Sequence, residues 1–139
     1  MAPAHAPVHR QIAGALLVIS LAVAACSPAG SATPVAPTAQ AFGLRTAAVQ
    51  PQACMDALIG GKLAKHAQSG LGITSADGQQ TAVEWPFRYS AWLLDGRIVL
   101  FDETGKVVAR EGDEITVGGG FGTQLWYACA PVTVTRAAT

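Results

Sequence analysis

Residues 95–120 read DGRIVLFDETGKVVAREGDEITVGGG, and this stretch decides the fold class. Short apolar runs alternate with acidic, glycine-containing turns at Asp95-Gly96, Asp102–Gly105 and Glu111–Asp113. Apolar, β-branched runs bounded by Gly and Asp are typical of strands joined by tight turns. The stretch therefore predicts consecutive short strands, and the triple glycine Gly118–Gly120 is expected to interrupt the pattern.

The same pattern continues on both sides of this stretch. Upstream, Ala57–Lys65 reads as a strand with a bulge at Gly60-Gly61, and Ser75–Gly78 is a hairpin turn signal between two apolar runs. Downstream, Gln124–Cys129 and Val132–Thr135 complete the series. About seven short strands at this spacing predict an all-β domain, either a small closed barrel of the OB-like or SH3-like kind or a compact sandwich.

The length and the charge of the chain limit the classes of function that it could have. A chain of 139 residues provides for one folded domain, which disfavours a large enzyme or a multidomain receptor. Nine basic residues balance nine acidic ones, and only 13% of the chain is charged. Because a nucleic-acid-binding domain usually has a strong excess of basic residues, we expect no nucleic-acid partner.

The N-terminus has the composition of an export signal. Arg10 precedes an uncharged run, Ile12–Ala25, which is shorter than the roughly 20 apolar residues of a membrane-spanning helix. The run ends in Val23-Ala24-Ala25-Cys26, which resembles the lipobox of bacterial lipoprotein precursors. The resemblance implies cleavage before Cys26, lipidation of its thiol, and a membrane anchor at the cell envelope, on the outer face or the periplasmic side.

Two alternatives remain open for this segment. Ala22-Val23-Ala24 also fits the A-x-A cleavage site of a released, secreted protein, and the run could instead stay as a short uncleaved anchor. We expect residues 1–25 to be a lipoprotein signal peptide. Residues 26–50 are expected to form the lipidated N-terminus and a disordered tether rich in Ala, Pro, Ser and Thr, and residues 51–139 the β domain.

The two remaining cysteines are candidates for a disulfide. With Cys26 lipidated, Cys54 and Cys129 form an even pair in a protein exported to an oxidising compartment. Their link would join the beginning of the β domain to one of its last strands. The alternative is that both are separate buried thiols.

An aromatic stretch, Trp85–Trp92, is the candidate ligand surface. If the chain is extended there, Trp85, Phe87 and Tyr89 point to one side, and an exposed row with Trp92 could stack on cell-wall glycans. The favoured alternative is that these rings belong to the core.

The acidic residues and the one histidine of the mature chain carry weaker signals. Carboxylates between Asp95 and Glu114 could bind Ca²⁺, but no EF-hand pattern is present and Asp is common in turns. A lone His66 provides neither a zinc site nor a catalytic constellation. We expect no metal, no cofactor and no catalytic residue; a small metal-dependent enzyme using the turn carboxylates and His66 is the remote alternative.

Three segments also resemble a small β domain of uncharacterised bacterial envelope proteins. They are Trp85-Pro86 with Tyr89-Ser90 (W-P-x-x-Y-S), Asp102–Asp113 (D-x-x-G-x-V-V-A-x-x-G-D) and the triple glycine. The resemblance implies turns and strands, with Gly112 forming a turn that Asp113 braces, and it carries no activity. We therefore expect a non-catalytic binding or structural role at the envelope, with a cell-wall glycan or another envelope protein as the partner.

Overall fold

A computed structural model describes residues 38–139. Within that part every regular element is a β-strand, which confirms the expected all-β class. There are nine strands rather than about seven. They are β1 (Gln40–Phe42), β2 (Ala57–His66), β3 (Gly70–Thr74), β4 (Gln80–Glu84), β5 (Ser90–Leu94), β6 (Arg97–Phe101), β7 (Val107–Arg110), β8 (Glu114–Phe121) and β9 (Trp126–Arg136).

Five of the strands close into a barrel in the order β2-β3-β4-β9-β8, as the sequence predicts for a small barrel. Neighbouring barrel strands are antiparallel except for the parallel pair β4–β9. The other four form a second sheet in the order β1-β5-β6-β7. A single apolar cluster draws on both sheets, with Leu63, Leu71 and Ile115 from the barrel and Ile98 and Leu100 from the second sheet.

Three hairpin turns lie where the sequence predicts them. In the Ser75–Gly78 turn the Gly78 amide donates to the Ser75 carbonyl at 2.9 Å, and in the Asp102–Gly105 turn the Gly105 amide donates to the Asp102 carbonyl at 3.0 Å. Asp95-Gly96 joins β5 to β6. These turns were predictable because Asp, Ser and Gly supply the required backbone conformations and hydrogen bonds locally.

Of two predictions about glycines, the bulge at Gly60-Gly61 is wrong, and the interruption at the triple glycine is confirmed only as a register shift within a continuous strand. β8 continues through Gly118–Gly120, and β2 keeps a continuous register at Gly60 and Gly61, which pair with Thr116 and Ile115. Gly61 instead permits a close approach of β3, because a Cβ atom there would press on the backbone of Thr74. The register shift lies in the β8–β9 pair, between Val117 and Gly119.

Part of the segment predicted as tether is packed onto the domain. Residues 40–42 pair with β5, and the chain then crosses the barrel. The Arg45 amide donates to the Ser69 carbonyl at 3.0 Å, the Trp85 amide donates to the Arg45 carbonyl at 2.9 Å, and the Ala47 amide donates to the Trp85 carbonyl at 2.8 Å. The folded domain therefore includes residues before position 51.

Two glycine substitutions test the packing of residues 43–47, here called the crossing segment. Gly70 and Gly78 have φ values of 76° and 82°, so alanine at either position meets a similar backbone penalty of about 1–2 kcal/mol. A Cβ atom at Gly70 would collide with the Gly43 carbonyl, whereas Gly78 faces open space. We expect Gly70→Ala to lower the free energy of unfolding by about 1–3 kcal/mol more than Gly78→Ala in urea titrations. Equal losses would contradict the packing of the crossing segment.

Candidate functional site

The predicted aromatic row is not an exposed surface. The chain turns at Pro86–Tyr89, where the Tyr89 amide donates to the Pro86 carbonyl at 3.2 Å and Arg88 has a φ of 63°. Trp85 is fully buried, and its indole N–H donates to the Leu71 carbonyl at 3.0 Å. Because this turn interrupts the extended chain, Trp85 and Tyr89 do not share one exposed face.

The other two residues of the predicted ligand surface differ in exposure. Tyr89 is half-buried against the core, while 39% of Trp92 is exposed on β5. Burial raises the pKa of the Tyr89 phenol, and the negative charges of Asp102 and Glu103 raise it further. Tyr89 therefore stays neutral at physiological pH, and Trp92 is the one ring of the three with a substantially exposed face.

Two turn carboxylates bind their own turns. The Asp77 carboxylate accepts from the Ser75 hydroxyl and from the Gln79 amide, and these hydrogen bonds lower its pKa. The Asp102 carboxylate accepts from the Thr104 hydroxyl at 2.6 Å and from the amides of Thr104 and Lys106, which likewise lower its pKa. Their oxygens thus have local structural partners.

Asp113 braces the end of the chain. It is 5% exposed, and its carboxylate accepts from the Arg110 amide and from the Ala138 amide, both at 2.8 Å. The neighbouring Glu111 carboxylate accepts from the Ile98 amide at 3.3 Å and lies 3.7 Å from the Lys65 ammonium group. The hydrogen bonds from the Arg110 and Ala138 amides thus account for the burial of the Asp113 carboxylate.

Potential metal ligands are dispersed. Over residues 38–139, no three His, Cys, Asp or Glu side chains lie close enough together to hold a metal ion. The Nδ1 atom of His66 accepts from the Gln68 amide at 3.2 Å, which places this imidazole in the turn after β2. The structure does not bring His66 together with the turn carboxylates as a metal-ligating group.

A disulfide joins Cys54 to Cys129, with 5.6 Å between their Cα atoms and 75 positions between them in the sequence. It connects the segment before β2 to the middle of β9. Cys54 is exposed, and Cys129 is partly buried. Cys26, the predicted lipidation site, lies outside the described residues.

A small apolar cleft of about 120 Å³ lies beside the disulfide. Its walls include Pro51, Met55, Tyr127 and the disulfide's Cys129. Glu84 is its one charged lining residue, and the Glu84 carboxylate lies 3.2 Å from the Arg45 guanidinium. The cleft therefore provides mainly apolar contacts, with its single charge already paired.

The barrel strands and the segment before β2 carry a set of exposed apolar side chains, here called the apical surface, of which Met55 and Tyr127 line the cleft. Its five members are large hydrophobic side chains with 37–75% of their area exposed: Val49, Met55, Leu58, Phe121 and Tyr127. Three of them lie beside the glycines of β8 and of the turn that follows it. Met55 covers Gly120, the Tyr127 ring covers Gly122, and Leu58 pairs with Gly118.

The triple glycine, which was expected to break the strand pattern, instead lies beside Leu58 and beneath Met55 of the apical surface. All three glycines are buried although β8 lies in the barrel wall. A Cβ atom at Gly120 would meet the Met55 sulfur at 2.5 Å, so glycine allows this side chain to lie flat on the strand. Sequence reasoning missed the surface because three separate segments each supply only one or two apolar residues.

Charge is sparse in the segments that carry the apical surface, although the Glu84–Arg45 ion pair lies at the cleft that Met55 and Tyr127 line. Residues 46–61 and 115–131, which carry all five of its members, contain one charged residue, Asp56. Phe121 stands edge-on to the buried Trp126, with 5.1 Å between their ring centroids. Because Phe121 pairs with Trp126 and Gly120 pairs with Tyr127, Phe121 lies on the opposite face of the β8–β9 pair from Tyr127 and Met55.

Residues 38–139 contain no helix that is long and apolar enough to cross a membrane. The chain matches no protein-family model, no curated protein and no solved structure. The residues and geometry of the chain itself are therefore the basis for its proposed function.

Proposed function

We propose that the protein is exported and anchored to the bacterial cell envelope by lipid on Cys26, and that its β domain has a non-catalytic binding or structural role. The observation that carries the proposal is the division of the three cysteines. Cys54 and Cys129 are joined in the structure, and disulfides persist mainly outside the reducing cytosol. Cys26 directly follows the apolar run and is the thiol left for acylation.

Local hydrogen bonds support the non-catalytic role. The Asp102 carboxylate, which the alternative metal-enzyme hypothesis would use, accepts from the Thr104 hydroxyl and from two backbone amides of its own turn. Exposed apolar surface, by contrast, is what a contact function requires. A glycan-binding module remains the second candidate, although it would have to rely on Trp92 without the buried Trp85.

Metabolic labelling tests the anchor. Bacteria producing the full chain are grown with an alkyne-bearing palmitate, and the purified protein is examined for incorporated label. We expect the wild-type protein to be labelled and Cys26→Ser to lose the label, because only a thiol at this position is alkylated by the lipid donor.

Cys54→Ser combined with Cys129→Ala is the matched control, since it also removes cysteines but leaves Val23-Ala24-Ala25-Cys26 intact. We expect this variant to keep its label. An unlabelled wild-type protein, or label that survives Cys26→Ser, contradicts the anchor.

A further inference from the structure

The outer face of the second sheet carries an aligned row of side chains. Alternate residues of β5, β6 and β7 belong to the core: Ala91, Ile98, Leu100 and Ala109. The residues between them therefore lie on the other, outer face. There the strand register sets Trp92 opposite Val99, and Val99 opposite Arg110. Because directly opposite residues of antiparallel strands hold their side chains on one face, these three residues form a row across the sheet.

A pocket of about 230 Å³, here called the arginine pocket, lies beside this row. It is lined by Leu94, Asp95, Arg97, Val99 and Arg110. Arg97 is two positions before Val99 in β6, so it lies on the same face. Arg110 is directly opposite Val99 on β7. The register thus brings two arginines to the border of one pocket whose apolar part is Leu94 and Val99.

The two arginines are available to bind an anion. Both are exposed, and none of the ion pairs within residues 38–139 includes either of them. Residues 1–37 contain no Asp or Glu that could pair with them. The Arg97 guanidinium donates to the Thr139 carbonyl at 3.5 Å, a long contact that uses only one of its several N–H donors. A guanidinium group binds a carboxylate or a phosphate through parallel hydrogen bonds, so the pair favours an anionic ligand.

Asp95 and Trp92 narrow the class of anion. Asp95 also lines the pocket, and its negative charge would repel a bare anion, whereas its carboxylate can accept hydrogen bonds from the hydroxyl groups of a sugar. Trp92 is partly exposed, and its neighbour in register on β1 is the small Ala41, so the indole has an open flank. An exposed indole face stacks on the C–H face of a sugar ring. The three kinds of group together fit a sugar that carries a negative charge.

We propose that the arginine pocket and Trp92 bind a sugar ring that carries a carboxylate or a phosphate group. Arg97 and Arg110 bind the anionic group, and the indole of Trp92 stacks on the ring. The inference rests on the proposed function, because a binding role leaves the ligand of the β domain to be named and export would bring the domain to the glycans of the envelope.

The test compares three sugars that share one ring. N-acetylmuramic acid carries a carboxylate, N-acetylglucosamine 6-phosphate carries a phosphate, and N-acetylglucosamine carries neither. The full chain, labelled with ¹⁵N and held in non-ionic detergent, is titrated with each sugar, and NMR follows the indole N–H of Trp92. The other two tryptophans, Trp85 and Trp126, are buried in the core. We expect at least one charged sugar to bind about tenfold more tightly than the neutral one, because charge-assisted hydrogen bonds are the stronger kind.

Variants of exposed residues assign the contacts. Arg97→Gln combined with Arg110→Gln should remove the preference for the charged sugar, whereas Arg136→Gln, an exposed control on β9 outside the arginine pocket, should retain it. Trp92→Ala should weaken the binding of all three sugars. Because the substituted side chains lie on the surface, the fold is expected to survive, and the amide spectrum of each variant checks this.

Several results would overturn the proposal. They are equal binding of the three sugars, binding of neither charged sugar, and a preference that survives the double arginine variant. Inorganic phosphate that binds as tightly as both charged sugars would also overturn it, since the site would then need no sugar ring. Tighter binding of N-acetylmuramic acid supports a carboxylated glycan as the ligand, and tighter binding of the phosphorylated sugar supports a phosphorylated one.

The titration also separates this inference from the anchor, because it does not depend on lipid. Palmitate labelling without sugar binding overturns the arginine pocket as a sugar site and leaves the anchor standing. Sugar binding by a chain that takes up no label leaves the pocket standing and contradicts the anchor on Cys26.

Discussion

Replacing Trp85 with alanine is expected to lower the free energy of unfolding by about 3–5 kcal/mol. The side chain is fully buried, and its indole N–H donates to the Leu71 carbonyl. Its backbone also bonds to both Arg45 and Ala47, so the cavity would open beneath the crossing segment. Urea titration followed by circular dichroism measures the loss.

Trp92→Ala is the matched control for this prediction, because it removes the same side chain from a partly exposed position seven residues away. We expect it to cost about 1 kcal/mol, in the range of typical substitutions outside the core. Trp85→Phe separates packing from hydrogen bonding, since it keeps an aromatic ring but removes the indole donor, while the Ser69 hydroxyl still donates to the Leu71 carbonyl at 2.8 Å. Equal losses for Trp85→Ala and Trp92→Ala would contradict the central place of Trp85.

Removing the disulfide is expected to be nearly as damaging. The chain-entropy treatment of a loop closed over 75 positions gives a stabilisation of about 4–5 kcal/mol, and removal of native disulfides from small domains typically costs about 2–5 kcal/mol. We expect the Cys54→Ala, Cys129→Ala double variant to show a loss within this range in the same titration.

The loss should also have a local signature. Residues 48–56 lie between the bridge that pairs Thr46 with Trp85 and the start of β2, and they contribute no strand to either sheet. The disulfide fastens this segment to β9, so amide hydrogen exchange there should accelerate in the double variant. The amides of β6, which pair on both sides within the second sheet, should change less. Unchanged stability and unchanged exchange would contradict this role of the disulfide.

Local chemistry made much of the fold predictable. The turn at Asp102–Gly105 contains its own hydrogen-bond acceptors and a glycine, so the hairpin follows from four residues. The Ser75–Gly78 turn is of the same kind. The runs that became β6 and β7 are bounded by such turns, and their positions could therefore be read from the sequence.

The elements of the fold that could not be predicted depend on contacts between residues far apart in the sequence. β1 is three residues long and pairs with β5 across about 50 positions of sequence, so no local pattern marks it. The triple glycine looks like a break in isolation, and it is a strand because Met55 and its neighbours cover it. The prediction of an exposed aromatic row is wrong because Arg88 adopts a left-handed conformation that turns the chain.

The candidate site was predictable only in part. The pairing of Cys54 with Cys129 could be inferred from the number of cysteines and the predicted export signal, and the structure contains that pair. The apical surface depends on how this pair brings Met55 beside Tyr127, which lies 72 positions further along the chain. No sequence pattern encodes such a juxtaposition.

Mass-spectrometric peptide mapping of the protein purified from bacterial membranes without reduction tests the division of the three cysteines most directly. We predict an N-terminal peptide that begins at Cys26 with a thioether-linked diacylglycerol, together with a disulfide-linked pair of peptides containing Cys54 and Cys129. An unmodified Cys26 within a peptide that still includes Ala24 and Ala25, or free thiols at Cys54 and Cys129, would contradict it.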